Sequence, residues 1–591
     1  MNAGFPAALG GSIPALLRSL FPFLRWTRPT AHTARDDLLA GITVSLVAIP
    51  QSLAYAQLAG VPAYYGLYAA FIPSIIGVLF GSSALLATGP VAMTSLLTAT
   101  SVAALRPAGL DQFYAYVTLL ALLSGIFQLG FGLARAGMLI SLISHPVLMG
   151  FINAAALVIA LSQLPALMGI PLRQTEHLML DTWNVVTRMD LLHEMSLAFG
   201  LAAMVLLVAL KKFAPRLPGV LLTVVLLTWV SYLVGFAERG GRVVGAVPSG
   251  LPAFVVPDIG WEATKSLLPA AFVLAVISFM EAMSSCKVIA VKTRAPWNEN
   301  QELIGQGLAK IAAAFCQSMP VSGSFSRSAL NLASNARTGL SSVFAAGSVL
   351  LTLLFFTPYL YHLPRPVLAA MIILAVLNLI DVRALRQAWL ASREDGLAGI
   401  LTFVVTLAFA PNIQNGILIG VTISLGAFIY GRMRPRVAVV SLHRDGMLRD
   451  MIRHNLAPLH PQVGALRFDA SLCFANASFF EDAVLKLQRE TPDLKYILIA
   501  AQGINHLDAS GVETLRNLSS RLRQSGVTLV IGGIKRQVFD VMERTGLVGD
   551  MHPGNVFMTE QEAIDSVVST VTPLEERAAE PHPRESNART S

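Results

Sequence analysis

The sequence predicts a polytopic α-helical membrane domain followed by a small soluble α/β domain, and three observations carry that prediction. The 591 residues are 54% hydrophobic and only 13% charged, and at a mean hydropathy of +0.62 the chain is too apolar for an ordinary soluble globule. Apolar runs of helix-spanning length follow one another over 36–435, whereas 436–571 has ordinary soluble composition. Two of the apolar runs are interrupted by helix-start residues, and one interruption is followed by an arginine.

Before the first run, 1–35 holds apolar stretches with Arg18, Arg25, Arg28 and Arg35 but no basic stretch ahead of them. This reads as a cytoplasmic amphipathic lead-in rather than a cleaved signal peptide. The first span, 38–58, is expected to break near its middle at Pro50. Beyond it Gln51 and Tyr55 lie four apart, which puts an amide and a phenol on one helical face. A second run covers 62–80. Then comes Thr88-Gly89-Pro90-Val91-Ala92, in which Thr88 can cap a helix and Pro90 suits a first helical position.

Further spans are expected over 112–133, 138–162, 192–210, 218–236, 267–291, 301–318, 324–336, 340–361, 364–380, 397–411 and 413–431. The even-numbered loops carry Arg135, Lys211, Lys212, Arg216, Lys292, Arg294, Arg337, Arg383, Arg386 and Arg393. That bias places both termini in the cytoplasm, and the chain reads as a protein of a bacterial-type inner membrane. It also accounts for much of the net charge of +8, so the charge does not point to nucleic acid. Cys286, Cys316 and Cys473 are scattered without metal-ligand spacing and read as packing residues.

The second interruption is Met319-Pro320-Val321-Ser322-Gly323-Ser324-Phe325-Ser326-Arg327. Pro320 discourages helix before it, Ser322 or Ser324 can cap free N–H groups, and the new helix N-terminus adds about half a positive charge. The two interruptions open the third span of each half of the domain, and broken helices at matching positions point to a transporter site at the midplane. The eighth span adds Glu281 and Ser285, which share a face at i, i+4. An intramembrane carboxylate is a coupling-site candidate; the structural alternative is a salt bridge to Arg327. Two helix N-termini, Arg327 and an ionised Glu281 sum to roughly +1, and protonating Glu281 raises that to roughly +2. Proton uptake would then make room for a divalent anion.

Pro62-Ala63-Tyr64-Tyr65-Gly66-Leu67-Tyr68, Gly81-Ser82-Ser83, Thr88-Gly89-Pro90 and Pro320-Val321-Ser322-Gly323-Ser324-Phe325-Ser326-Arg327 together resemble the sulfate permease (SulP) family over about residues 30–570. The resemblance implies about fourteen membrane segments in a 7+7 inverted repeat, with uracil-permease-like core and gate domains, elevator-type alternating access and a homodimer. It places the anion between the amino ends of the third and tenth segments. Gln51 and Tyr55 would line the site, and Thr88, Gly89, Pro90, Val91, Ala92, Ser324, Phe325 and Ser326 would offer backbone or hydroxyl donors. Arg327 would supply charge, and Glu281 falls where relatives carry an acidic coupling residue. Ala84 departs from the Arg or Lys that many relatives carry after Gly-Ser-Ser, which removes a cation there.

In the soluble part, strands at 437–442, 464–468, 496–501 and 527–532 alternate with helices at 478–489, 510–524 and 535–545. This predicts a layered α/β fold with a partly parallel sheet. It resembles a STAS domain, with a cytoplasmic protein as the implied partner. Asp508-Ala509-Ser510-Gly511 matches a loop that is phosphorylated in related antagonist proteins, making Ser510 a regulatory candidate; the alternative is a helix cap by Asp508 or Ser510. The stretch 572–591, rich in Glu, Arg, Pro and Ser, reads as a disordered tail.

The sequence thus reads as a secondary active transporter of sulfate or a related small inorganic anion, with protons as coupling ions. Sodium-coupled bicarbonate or proton-coupled C4-dicarboxylate transport are alternatives, Glu281 and Ser285 being able to offer oxygens to sodium. An uncoupled anion channel or motor and a STAS-linked membrane sensor are alternatives of another class. No nucleophile, base and oxyanion set converges in either domain, so the chain does not read as an enzyme, and no cofactor or metal is implied.

Overall fold

A computed structural model of the chain describes residues 21–26, 30–137, 144–171, 178–214, 217–257, 260–410 and 413–571. The expectations for the lead-in before residue 21, for Arg28 and Arg216, for 138–143 and for the tail lie outside the described residues. The chain divides into two compact units between Ser424 and Leu425, a division that falls within the helix Gln414–Met433.

The first unit is helical. Its first half runs α1 (Ala31–Leu58), α2 (Ala63–Phe80), β1 (Thr88–Gly89), α3 (Ala92–Ala103), α4 (Leu110–Leu133), α5 (His145–Ser162), α6 (Leu164–Met168), α7 (Leu178–Thr187), α8 (Glu194–Phe213) and α9 (Gly219–Leu233). Its second half runs α10 (Trp261–Thr293), α11 (Glu299–Phe315), β2 (Ser322–Gly323), α12 (Phe325–Ala333), α13 (Leu340–Leu351), a π-helical turn (Thr352–Phe356), α14 (Thr357–Leu360), α15 (Arg365–Leu377), α16 (Val382–Ala391), α17 (Arg393–Ala408) and α18 (Gln414–Met433). Nine helical stretches among the described residues are long and apolar enough to cross a membrane. α10 is central, with 72% of its apolar window buried; α8, at 22%, turns most of its side chains outward.

Packing follows an exchange rule between the halves. α1 packs on α13 and α10 on α4; α2 packs on α13 and α11 on α4; α5 packs on α17 and α8 on α15. If α1 to α5, α8 and α9 correspond in order to α10 to α13, α15, α17 and α18, each contact maps onto its partner, as a two-fold inverted repeat requires. Two bundles result. One gathers α1–α4 with α10–α13, the other α5, α8 and α9 with α15 and α17, and they meet where α1 touches α15 and α9.

One expectation fails here. Pro50 lies inside α1, which continues unbroken for 28 residues. A proline removes one hydrogen bond, and close packing of α1 against α2 and α13 holds the helix through the gap.

The second unit is a five-stranded sheet with helices on both faces. Its elements are β3 (Val437–Leu442), β4 (Leu448–Asp450), α19 (Met451–His454), β5 (Val463–Phe468), α20 (Ala477–Glu490), β6 (Tyr496–Ala500), α21 (Ala509–Gln524), β7 (Thr528–Gly532), α22 (Arg536–Arg544), α23 (Leu547–Met551) and α24 (Glu560–Val571). Strand order is β4-β3-β5-β6-β7. β3 pairs antiparallel with β4 and β5, while β5, β6 and β7 are parallel. Alternate residues explain the two faces: Leu466, Ile497, Ile499, Leu529 and Ile531 pack with α20 and α21, whereas Ala465, Leu498 and Val530 pack with α24. The short β4, α19 and α23 and the closing α24 are additions to the sequence reading.

Candidate functional site

Inside the helical unit the two interruptions meet. β1 and β2 pair antiparallel, Thr88 opposite Gly323 and Gly89 opposite Ser322. Backbone polar groups have no water to turn to at membrane depth, so each must find a protein partner. The Ser324 N–H donates to the Ala87 carbonyl at 2.9 Å, and the Ala87 N–H donates to Ser328 Oγ at 2.9 Å. Asn331 Nδ2 donates to the Leu85 carbonyl at 3.2 Å, and Ser74 Oγ to the Thr88 carbonyl at 2.7 Å. Ser322 Oγ donates to the Ser278 carbonyl on α10 at 2.7 Å.

This geometry corrects the expected caps. Thr88 lies in β1, and its hydroxyl accepts from Gln306 Nε2 at 2.9 Å instead of capping a helix. Pro90 sits ahead of the helix, whose N-cap is Val91 with no side-chain cap. On the other side Ser324 is the N-cap of α12, its oxygen accepting from the Arg327 N–H at 3.4 Å. Ser322 is occupied within β2.

Both half-helices start at one cavity of about 790 Å³. Of the expected residues, Gln51, Tyr55, Val91, Ala92, Glu281, Ser324, Phe325 and Ser326 line it. Thr88, Gly89, Pro90, Arg327 and Ser285 do not. Gln51 Oε1 and Glu281 Oε2 are buried without a hydrogen-bond partner, so the cavity holds polar atoms with capacity to spare. Ser285 Oγ instead donates to the Glu281 carbonyl at 3.2 Å, along the helix.

Arg327, expected to supply charge, does not itself line the cavity. It is 2% exposed, and its Nη2 donates to the Pro90 carbonyl at 2.8 Å. The guanidinium thus lies against β1, behind the start of α3, and its charge reaches the cavity through the structure, without direct contact. Among the described residues no Glu281–Arg327 ion pair forms; the carboxylate is left facing the cavity. Gly89 makes room for this arrangement: its φ is +155°, and an added Cβ would stand 3.1 Å from Arg327 Nη2.

Sequence reading missed a polar stripe on α11. Glu302, Gln306 and Lys310 recur every four residues on one face, a spacing visible in the sequence. Glu302 Oε2 accepts the N–H groups of Ser82 and Ser83, each at 2.9 Å, and Gln306 Nε2 donates to Glu302 Oε1 at 3.2 Å. Lys310 is fully buried, with Nζ donating to Gln128 Oε1 at 2.8 Å and Ser278 Oγ at 2.9 Å. A similar anchor holds the chain after α12: buried Asp37 accepts from the N–H groups of Arg337 at 2.6 Å and Thr338 at 3.0 Å.

In the sheet unit Ser510 is exposed near the start of α21. Asp508 caps that helix, accepting from the Gly511 N–H at 2.8 Å and from the Phe474 N–H at 2.8 Å.

Residues 35–402 match the sulfate permease family and 456–563 match the STAS domain. The chain belongs to the sulfate permease family. Among relatives in this family, Sulfate transporter 4.1, chloroplastic, of Arabidopsis thaliana is 31% identical over 90% of this chain and 80% of its own. A probable sulfate transporter of Mycobacterium tuberculosis is 29% identical over 90% of this chain and 95% of its own. The fold resembles that of murine Solute Carrier 26 family member A9, an anion transporter in the inward-facing state, at TM-score 0.87 and 22% identity over 96% of this chain and 97% of that one. The transmembrane domain of a cyanobacterium bicarbonate transporter aligns at TM-score 0.57, 24% identity, and 67% and 99% coverage. The sulfate permease relatives are transporters and not enzymes, and this chain is a multi-pass membrane protein.

Proposed function

We propose that the chain is a secondary active transporter of sulfate or a related small inorganic anion, with a proton as its coupling ion. One observation carries the reading: two half-helix N-termini from opposite halves start at a single cavity that also holds the unpartnered oxygens of Glu281 and Gln51. Orphan N–H groups and the helix dipoles attract an anion there. Sulfate is the cargo named for the relatives.

Protonating Glu281 adds one positive unit to the field that the anion meets. At a separation of about 6 Å and an effective dielectric of about 20, that unit is worth about 3 kcal/mol per charge on the anion. By reciprocity the anion favours the proton equally, so the two load together. The proton is favoured over sodium because the Ser285 hydroxyl already serves the Glu281 carbonyl and does not face the cavity. Lys211, Leu217 and Gly219, at and near the adjoining ends of α8 and α9, also line the cavity. On the positive-inside reading those ends are cytoplasmic, so this conformer opens inward. Sliding of the α1–α4/α10–α13 bundle against the other would expose the site alternately, as an elevator.

The test is reconstitution in liposomes. Labelled sulfate should accumulate against its gradient when a pH gradient is imposed, without sodium. Glu281→Gln should lose that accumulation and keep sulfate counterflow. Uphill, pH-driven uptake by Glu281→Gln would sink proton coupling at this residue. Counterflow with bicarbonate or fumarate in place of sulfate would reassign the cargo.

A further inference from the structure

Lys310 is a fully buried amine with no role so far beyond holding helices together. Its two hydrogen-bond partners are neutral and belong to α4 and α10. Their orientation is fixed: Gln128 Nε2 donates to the Ala275 carbonyl at 2.7 Å, which turns Oε1 toward Nζ. Ser278 Oγ donates to the same carbonyl at 3.2 Å, leaving a lone pair for Nζ. Neither partner neutralises an ammonium. A charge kept in such surroundings is costly unless the protein uses it.

Its position says what for. Ser278 lies three residues before Glu281 on α10, so the ammonium sits one helical turn behind the carboxylate that lines the cavity. The Ser278 carbonyl also takes the Ser322 hydroxyl, two residues before the cap of α12. We infer that Lys310 sets the valence of the cargo, its buried charge making the site select divalent over monovalent oxyanions. This rests on the anion-transport reading above. With Glu281 protonated, as the loaded site requires, two half-helix ends and Arg327 sum to roughly +2, the charge that a divalent oxyanion neutralises, and Lys310 adds a further positive unit that acts on each charge of the cargo. With a separation on the order of 10 Å and an effective dielectric of about 20, each charge on the cargo gains a factor on the order of ten from the ammonium. A divalent anion therefore gains about ten-fold over a monovalent one of the same shape.

Sulfate and perchlorate are such a pair, both tetrahedral and differing by one charge. Purified full-length protein in detergent is titrated with each, and affinity is read from the rise in melting temperature. Wild type should bind sulfate at least about ten-fold more tightly than perchlorate. Lys310→Gln, which keeps a hydrogen-bonding head, and Lys310→Met, which does not, should both shrink that ratio by about ten-fold. An unchanged ratio in both variants, or loss in Lys310→Met alone, would make Lys310 a brace and overturn the inference. Should neither variant fold, wild type decides: equal shifts by sulfate and perchlorate overturn valence selection and leave anion transport standing. A wild-type melt that neither anion moves counts against the anion site itself.

Discussion

Gly89→Ala is the sharpest test of the crossing. The residue holds φ at +155°, a region that L side chains adopt only under strain, which costs on the order of 1–3 kcal/mol. Its new Cβ would meet Nη2, Nη1 and Cζ of Arg327 at 3.1, 3.2 and 3.4 Å. The guanidinium must then give by a few tenths of an ångström, yet it is pinned to the Pro90 carbonyl, one residue from the substitution. Weakening that charge-assisted bond forfeits part of about 1.5–3 kcal/mol. The sum is about 2–4 kcal/mol, lodged between the two half-helices. A lowered melting temperature in detergent and at least a ten-fold fall in sulfate uptake by proteoliposomes are expected. Arg327→Lys in the same background separates the causes: it relieves the contact and leaves the backbone strain, so the double variant should recover part of the loss. Full stability and full uptake in Gly89→Ala would refute the idea that Arg327 braces β1 through space only glycine leaves.

Three further outcomes follow from described contacts. Glu302→Gln keeps one acceptor oxygen but loses the charge that holds Ser82 and Ser83, and should lower stability by about 1–3 kcal/mol, read as a lower melting temperature. Asp508→Ala removes the cap of α21 and the Phe474 bond; a loss of about 1–2 kcal/mol should appear as faster amide exchange in that helix's first turn. In the β3–β4 hairpin, the Arg449 guanidinium holds the Asp445 carboxyl well below the usual carboxylate range, and the Arg453 N–H followed by Arg436 lowers Asp450. Both folded-state values lie under the unfolded ones. Their stabilisation is therefore complete above about pH 4 and is lost as pH falls through the folded values, so exchange protection in the hairpin should hold from pH 7 down to about 4 and drop only below that.

How much of this was legible in the sequence depends on the distance over which a residue's role is decided. The half-helix starts were legible because Thr88-Gly89-Pro90 and Ser322-Gly323-Ser324 carry local backbone chemistry. So was the face shared by Gln51 and Tyr55, since helical periodicity alone puts them together. In the sheet unit the four longer strands and three of the helices were legible, because alternating apolar runs and capped helices are short-range signals, whereas β4, α19, α23 and α24 were not. The pairing of β1 with β2 was not legible: two-residue strands have no pattern, and their partners come from opposite halves. The same reason hid the place of Arg327, whose acceptor at Pro90 is far off in sequence. Pro50 misled because local propensity was overridden by tertiary packing. Glu302, Gln306 and Lys310 were in plain sight at a spacing of four, but their partners lie on other elements.

The crossing also bears on how the protein is made. Thr88 and Gly89 leave the ribosome long before Ser322 and Gly323, and so do the Leu85 and Ala87 groups that later bond Asn331, Ser324 and Ser328. A nascent chain halted after α9 carries a stretch of bare peptide bonds that hydrocarbon cannot solvate. It must shelter that stretch in water, in the translocon or on a chaperone until α12 emerges. Insertion of the first half is in that sense provisional, and the seal forms only when the second half arrives.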